Sequence, residues 1–341
     1  TGSIGDKSWY TADKYAKYRE PGNIKVPFWL NPDKHYVGVA WYQKEIEIPK
    51  SWINKRIQFE FERTHWETSL YIDGKKIDHQ NALQVPHRYV LSSLTPGKHL
   101  LSLRVDNRMH IDIGSSAHSV SDHTQTNWNG VIGGINMQAL PSLAIDNIQI
   151  YPDIKGKKAD IKIYLDGQPN NSRLALNVIF DGKTILKKEV RVKPNAKNCV
   201  EETIEWEDSV KLWSEFTPNV YSLRAVLSSQ DGNSEKEISF GFRDFGVNGT
   251  HFAINGRPTF LRGTLECCIF PMTGYPVMDN TYWAKIYSTC KRYGLNHIRF
   301  HSWCPPKAAF HVADSLGMYL QVECGGWASI GDGNKQDQWF K

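Results

Sequence analysis

Between Arg299 and Glu323 the chain reads Arg-Phe-His-Ser-Trp-Cys-Pro-Pro, a short amphipathic stretch, and then Met318-Tyr-Leu-Gln-Val-Glu323. That order predicts a strand over 296–300, a turn with Pro305 and Pro306 at a helix start, a helix to Leu316, Gly317 as C-cap, and a strand over 318–322. A unit of the same form precedes it: a strand over 259–264, Asp279 or Asn280 as N-cap, and Trp283, Ile286, Tyr287 and Cys290 at helical spacing up to Gly294. A β-α-β-α-β series from about residue 255 needs crossover connections and therefore parallel strands. Their carboxyl ends would present Glu266, then His301 with Trp303, then Glu323 with Trp327, on one rim, where parallel α/β folds keep their chemistry. The 87 residues from 255 to 341 fall far short of the roughly 250 of an eight-stranded barrel, so the expectation is the first three strands of one, or a smaller fold.

Upstream the period changes from helical to alternating. Residues 36 to 150 carry short β-like runs, among them 39–48, 57–61, 68–72 and 100–105, separated by turns such as Asp73-Gly74 and Pro96-Gly97. This suits a jelly-roll-like antiparallel sandwich. A second alternating segment follows, with 160–165, 175–180, 188–192 and 221–227 as its clearest strands and Asp166-Gly167, Asp181-Gly182 and Asp231-Gly232 as turns. About a hundred residues with seven or so strands fit an immunoglobulin-like sandwich, of a kind without a Cys-Trp-Cys framework. The expected class is thus mostly β: a jelly-roll-like domain over 1–142, an immunoglobulin-like β-sandwich over 143–246, and an incomplete TIM-barrel start over 247–341.

Charge excludes some partners. The net charge of +5 arises from 41 basic and 36 acidic residues mixed along the whole chain, with no basic run or basic helix face, so neither nucleic acid nor a membrane is expected as a partner. No apolar run approaches the roughly 20 residues needed to cross a bilayer, and the Thr1-Gly2-Ser3 start reads as a mature or trimmed terminus. Twelve Trp, 15 Tyr and 14 Phe are more rings than packing alone usually needs, and aromatic rings are platforms for sugar faces; large β cores are the other use of them.

A sandwich, an immunoglobulin-like domain and the start of a barrel, in that order, resemble the amino-terminal part of glycoside hydrolase family 2, the β-galactosidase, β-glucuronidase and β-mannosidase group. The resemblance rests on separated motifs: Gly38-Val-Ala-Trp-Tyr with Ile48-Pro49, Gly133-Gly134-Ile135, the run from Leu212 to Tyr221, Gly241-Phe-Arg243, Asn255-Gly-Arg-Pro258 before Leu261-Arg-Gly263, and Arg299 to Pro305 followed by Ala313 to Gly317 and Val322-Glu323. It implies a retaining exo-β-glycosidase acting on terminal β-glycosidic bonds of oligo- or polysaccharides. It also implies that the acid/base glutamate and the nucleophile fall beyond Lys341, so that this chain alone is expected to be inactive. Where β-galactosidase-type members have a His-Glu-His-like stretch, this chain has Thr264-Leu-Glu-Cys-Cys-Ile-Phe270; their Arg-x-Ser-His-Tyr-Pro appears as Arg299-Phe-His-Ser-Trp-Cys-Pro305. The sugar is therefore left open. The resemblance further suggests a carbohydrate substrate, no cofactor, a bacterial periplasmic or secreted setting, and leaves a homo-oligomer open.

The candidate substrate-binding residues are His301, Trp303, Glu323, Glu266, Arg299, Trp327, Asn127, Trp128 and Asn129. His301 would hydrogen-bond a hydroxyl and Trp303 stack a pyranose face, or else cap the barrel core. Glu323 would accept from a sugar or pair with Arg299. The run His118 to Gly130 is too long for a hairpin loop and rich in hydroxyl-binding groups; Asn127, Trp128 and Asn129 could reach the barrel mouth, or satisfy their own backbone. Cys267, Cys268, Cys304 and Cys324 with His301 could make a thiolate metal site, though buried free thiols are the favoured account and no metal or catalytic residue is assigned. Two other functions compete: a non-catalytic carbohydrate-binding β-sandwich module, and a metal-dependent hydrolase built on the cysteines.

Overall fold

The computed structural model describes residues 13–18, 20, 36–111, 118–120, 127–169, 171–207, 209–270 and 273–323. The chain is mostly β, and among the described residues no helix is long and apolar enough to cross a membrane.

The first part is a pair of antiparallel sheets. One orders Val39–Ile48, Gly97–Asp106, Glu67–Ile72 and Lys75–Asn81; the other orders His87–Leu91, Arg56–Phe61 and Ile135–Leu140. Strict alternation in Arg56–Phe61 sends Ile57, Phe59 and Phe61 to one face, where they meet Leu70, Leu101, Leu103 and Val105 of the other sheet. The Asp73-Gly74 turn has positive φ at both residues, 51° and 78°, as the tight hairpin joining Glu67–Ile72 to Lys75–Asn81 requires.

A second pair of sheets follows, ordered Ala144–Asp153, Lys158–Asp166, Cys199–Glu205 and Lys183–Arg191, Arg173–Phe180, Tyr221–Ser229, Gly232–Phe240. Ile161, Ile163 and Leu165 face Leu174, Leu176, Val178, Leu223, Ala225 and Leu227 in its core. Arg56 bonds Asp166 at 2.6 Å and the Pro141 carbonyl at 2.9 Å, tying the two pairs together.

From residue 245 the chain first makes a small antiparallel ribbon, Phe245–Asn248, His251–Ile254 and Arg257–Thr259. This corrects the expected strand over 259–264: Arg257–Thr259 turns back to pair with Phe252–Ile254, and the parallel strand begins only at Gly263. Strands Gly263–Glu266, His297–Phe300 and Tyr319–Val322 are parallel and in register, so Glu266, Phe300 and Val322 end level with one another. The crossovers are helices Asn280–Arg292 and Lys307–Leu316. Asp279 caps the first by accepting from the Thr281 and Tyr282 amides, and Gly317, at φ 74°, closes the second.

This α/β part is clamped to the second pair of sheets at the amino end of its strands. Trp213 donates its indole N–H to the Asp314 carbonyl at 2.7 Å, Lys291 reaches the Glu215 carbonyl at 2.8 Å and the Leu316 carbonyl at 2.7 Å, and the buried Asn296 amide donates to the Glu215 carboxylate. The opposite, carboxyl end of the strands is thereby turned toward the first pair of sheets.

Candidate functional site

A polar residue stands at or directly after the end of each parallel strand, Glu266, His301 and Glu323, and after the first two strands the chain turns sharply. Cys268 and Ser302 sit in the left-handed region, at φ 55° and 59°, directly after the first and second strands. The turn at Cys268 folds its own amide and that of Ile269 onto the Glu266 carboxylate, at 3.0 and 3.1 Å. The turn at Ser302 points its amide at Glu323, 3.2 Å away. Non-glycine residues held at positive φ beside carboxylates are the kind of local cost that functional sites carry.

Burial pushes the Glu266 carboxyl up to about 7, against the two backbone N–H groups that favour its ionised form. It therefore exchanges its proton near neutrality and can donate or accept. Glu323 is oriented by Arg299 at 2.8 Å, an ion pair with 41% and 28% of the side chains exposed, so the carboxylate remains open to a further donor. His301 stands between them. Its amide donates to the Glu266 carbonyl at 2.8 Å, its Nε2 lies 4.0 Å from Glu323, and its Nδ1 is 3.1 Å from Nε2 of His118.

Glu266, Arg299, His301 and Glu323 thus share one rim. Trp303 does not join them as an open wall. It is wholly buried, packed edge-on against Phe270 and Phe300, and cannot offer a face to a pyranose. Asn127, Trp128 and Asn129 are also corrected. They are 5%, 2% and 2% exposed and belong to the first pair of sheets: Asn129 donates to the Gly38 carbonyl at 3.0 Å and accepts from Tyr42 at 2.9 Å, and Asn107 binds the Trp128 carbonyl at 3.0 Å. These partners, Gly38, Tyr42 and Asn107, lie in or beside other strands rather than in the segment's own backbone. Trp327 lies outside the described residues.

The reach into the mouth comes from the other end of the same segment. Nε2 of the His65 ring donates to the Ser119 carbonyl at 2.7 Å, and this holds the turn 118–120 so that His118 meets His301. Burial holds the His118 pKa below the ordinary imidazole value, and the neighbouring His301 lowers it further. Arg63 is the second unforeseen residue. It is 3% exposed, donates to the Cys304 carbonyl at 2.5 Å, and lies 5.8 Å over the Trp303 ring. Nothing about Glu62-Arg63-Thr64 in sequence marks it; His118 was marked only by its place in a long polar run.

The cysteines do not assemble as a thiolate cluster. Cys268 is buried in the apolar core with Phe270 and Trp283, Cys304 is half-buried with its Sγ 3.5 Å from the Pro305 carbonyl, and Cys324 lies outside the described residues. Cys267 approaches His301, its Sγ 3.8 Å from Nδ1.

Residues 143–243 match the family model described as glycosyl hydrolases family 2. The β-galactosidase of Pseudoalteromonas haloplanktis is 24% identical over 88% of this chain and 30% of its own length, and that of Thermoanaerobacterium thermosulfurigenes 23% over 91% and 44%. The resemblance to glycosyl hydrolases family 2 is thus carried by the family model over 143–243 and by relatives aligned over most of the chain. The chain spans less than half the length of these two relatives. In fold it is similar to the β-glucuronidase of Parabacteroides merdae, with a TM-score of 0.73 at 20% identity over 91% of this chain and 41% of that one.

Proposed function

We propose that this chain is the amino-terminal, substrate-shaping portion of a retaining exo-β-glycosidase that hydrolyses terminal β-glycosidic bonds. In this reading the first pair of sheets is the jelly-roll-like sugar-binding domain and the second the immunoglobulin-like sandwich. The three parallel strands with their two helices are the first βα units of the catalytic barrel. The observation that carries it is the shared rim of Glu266, His301 and Glu323 at the carboxyl ends of in-register parallel strands. That end of a parallel barrel is where substrate is met.

Retention requires two carboxylates about 5–5.5 Å apart, one a nucleophile and one a general acid. The relatives' greater length supports assigning both to chain beyond residue 341. The residues in hand then bind and orient: Glu323 and His301 hydrogen-bond sugar hydroxyls, Arg299 holds Glu323 aimed, and Glu266, near its own pKa, completes the floor. The test is hydrolysis of a panel of chromogenic β-galactosides, β-glucuronides and β-mannosides by the full-length protein and by residues 1–341. Activity in the former, absence in the latter, and a loss of tenfold or more in kcat/KM for Glu323→Gln in the full-length protein are expected. A full-length protein that binds these sugars without cleaving any would instead establish the non-catalytic module.

A further inference from the structure

His118, Cys267 and His301 come from three separate places: a turn of the first pair of sheets, and the loops after the first and second parallel strands. One ligand atom from each lies within 4.8 Å of the other two. Nε2 of His118 is 3.1 Å from Nδ1 of His301, and Sγ of Cys267 is 3.8 Å from that same nitrogen. Metal–nitrogen bonds of about 2.0–2.1 Å and a metal–sulfur bond of about 2.3 Å in a tetrahedron put two nitrogens about 3.4 Å apart and nitrogen and sulfur about 3.6 Å apart. The two measured edges fall within a few tenths of an ångström of those values.

We propose that His118, Cys267 and His301 form a three-ligand site for a zinc-type divalent metal, with a fourth position for water or a sugar hydroxyl. Two imidazoles and one thiolate are a borderline-soft donor set, which selects zinc or cobalt over magnesium and calcium, whose ligands are oxygens. Three protein ligands rather than four is the pattern of an open site. A second feature points the same way. The remaining nitrogen of His301, Nε2, faces the Glu323 carboxylate at 4.0 Å, and Glu323 is itself held by Arg299 and the Ser302 amide. A carboxylate on the far side of a ligating histidine helps to orient the ring.

A metal here would take a lone pair from each imidazole and displace the thiol proton of Cys267 on binding. Without metal, the same geometry is an N–H···N hydrogen bond between the two rings, with the thiol beside it. The inference rests on these three side chains and stands or falls apart from the glycosidase reading.

Cobalt titration of the reduced full-length protein tests it, because a thiolate ligand gives a near-ultraviolet charge-transfer band that no surface histidine can produce. One cobalt per chain, with that band, displaced by zinc, is expected. Cys267→Ser should abolish the band, and His118→Ala should weaken cobalt binding at least tenfold. Cys199→Ser, whose thiol is buried in the second pair of sheets, should change neither, and circular dichroism identifies any variant that has not folded. Absence of the band from the reduced wild-type protein, or an undiminished band in folded Cys267→Ser, overturns the proposal. Glycoside hydrolysis measured on the same samples reports on the enzyme reading separately.

Discussion

Nε2 of His118 and Nδ1 of His301 lie 3.1 Å apart across 183 positions of sequence, with the rings at 60° and their centroids 5.1 Å apart. The contact joins a turn of the first pair of sheets to the rim of the parallel strands, so the wall of the mouth is built from two parts of the chain that fold on different cores. A double-mutant cycle on His118→Ala and His301→Ala measures what that joint contributes. Residues in direct hydrogen-bonded contact couple by about 0.5–3 kcal/mol, whereas independent sites add to within about 0.5 kcal/mol. We expect a coupling of about 1 kcal/mol in urea unfolding, and strict additivity would show that the two rings merely lie near each other.

Arg63 makes the second joint between the same two parts. Its guanidinium is buried, which pushes its pKa down, and its hydrogen bond to the Cys304 carbonyl places it over the face of Trp303. Arg63→Met keeps most of the stem's packing and leaves that carbonyl without its donor. Hydrogen bonds to charged groups are worth about 1.5–3 kcal/mol, and a cation over a desolvated indole adds up to about 2. A loss of roughly 2–4 kcal/mol in unfolding free energy is the expected outcome, and a loss below about 0.5 would place Arg63 outside the joint.

These two joints mark where the sequence could be read and where it could not. Alternation and turn dipeptides placed the strands of both sheet pairs to within a few residues, because one buried face per strand is a local signal with period two. Pro306, Gly317 and Asp279 punctuate the βα units through backbone chemistry that each residue carries alone. The shared rim of Glu266, Arg299, His301 and Glu323 was legible too, since crossover topology alone brings the carboxyl ends of parallel strands level. Trp303 and the Asn127–Asn129 run were not. A large ring after a strand reads equally as core or as platform, and here Phe270 and Phe300 claim it for the core. An Asn-rich loop reads equally as recognition or as satisfaction of its own backbone, and here Gly38, Tyr42 and Asn107 hold it within the first pair of sheets instead. Apart from Phe300, the deciding partners lie 21 to 91 positions away.

Gly317 does more than end a helix. A Cβ on it would stand 2.6 Å from the Glu215 carbonyl oxygen and 2.9 Å from its carbonyl carbon, both backbone atoms that Lys291 helps to fix in place. Its φ of 74° adds the left-handed cost that any L side chain bears there. That cost is about 1 kcal/mol, and an immovable backbone clash adds about 1–3 more. Gly317→Ala is therefore expected to lose about 2–4 kcal/mol in denaturant unfolding. Gly74→Ala, where the space is open, bears the conformational cost alone and should lose about 1 kcal/mol.

His87 gives the fold an acid-sensitive point remote from the rim. It is wholly buried between the sheets of the first pair, with Thr68 Oγ1 2.5 Å from Nδ1 and the Ala82 carbonyl 2.7 Å from Nε2. Burial holds its pKa below the ordinary imidazole value of about 6.5, with the Ala82 carbonyl opposing. The unfolded chain therefore takes up this proton at a higher pH than the folded protein does. Between the two values the unfolded state binds more protons, so stability rises with pH; it is complete above about pH 6.5 and is lost as the pH falls through that value toward the folded pKa. His118 and His297, also lowered by burial, act in the same direction, while His99, raised by the Thr95 carbonyl and by Asp73, acts against them. His87→Gln removes one contribution without touching the others. It should cost about 1–3 kcal/mol near pH 7.5, where a neutral imidazole is lost, but the variant should lose less stability than the parent between about pH 7.5 and 5.5, by up to about 1.4 kcal/mol per pH unit. Equal slopes in the two proteins, measured by urea unfolding across that interval, would mean that the proton is taken up elsewhere.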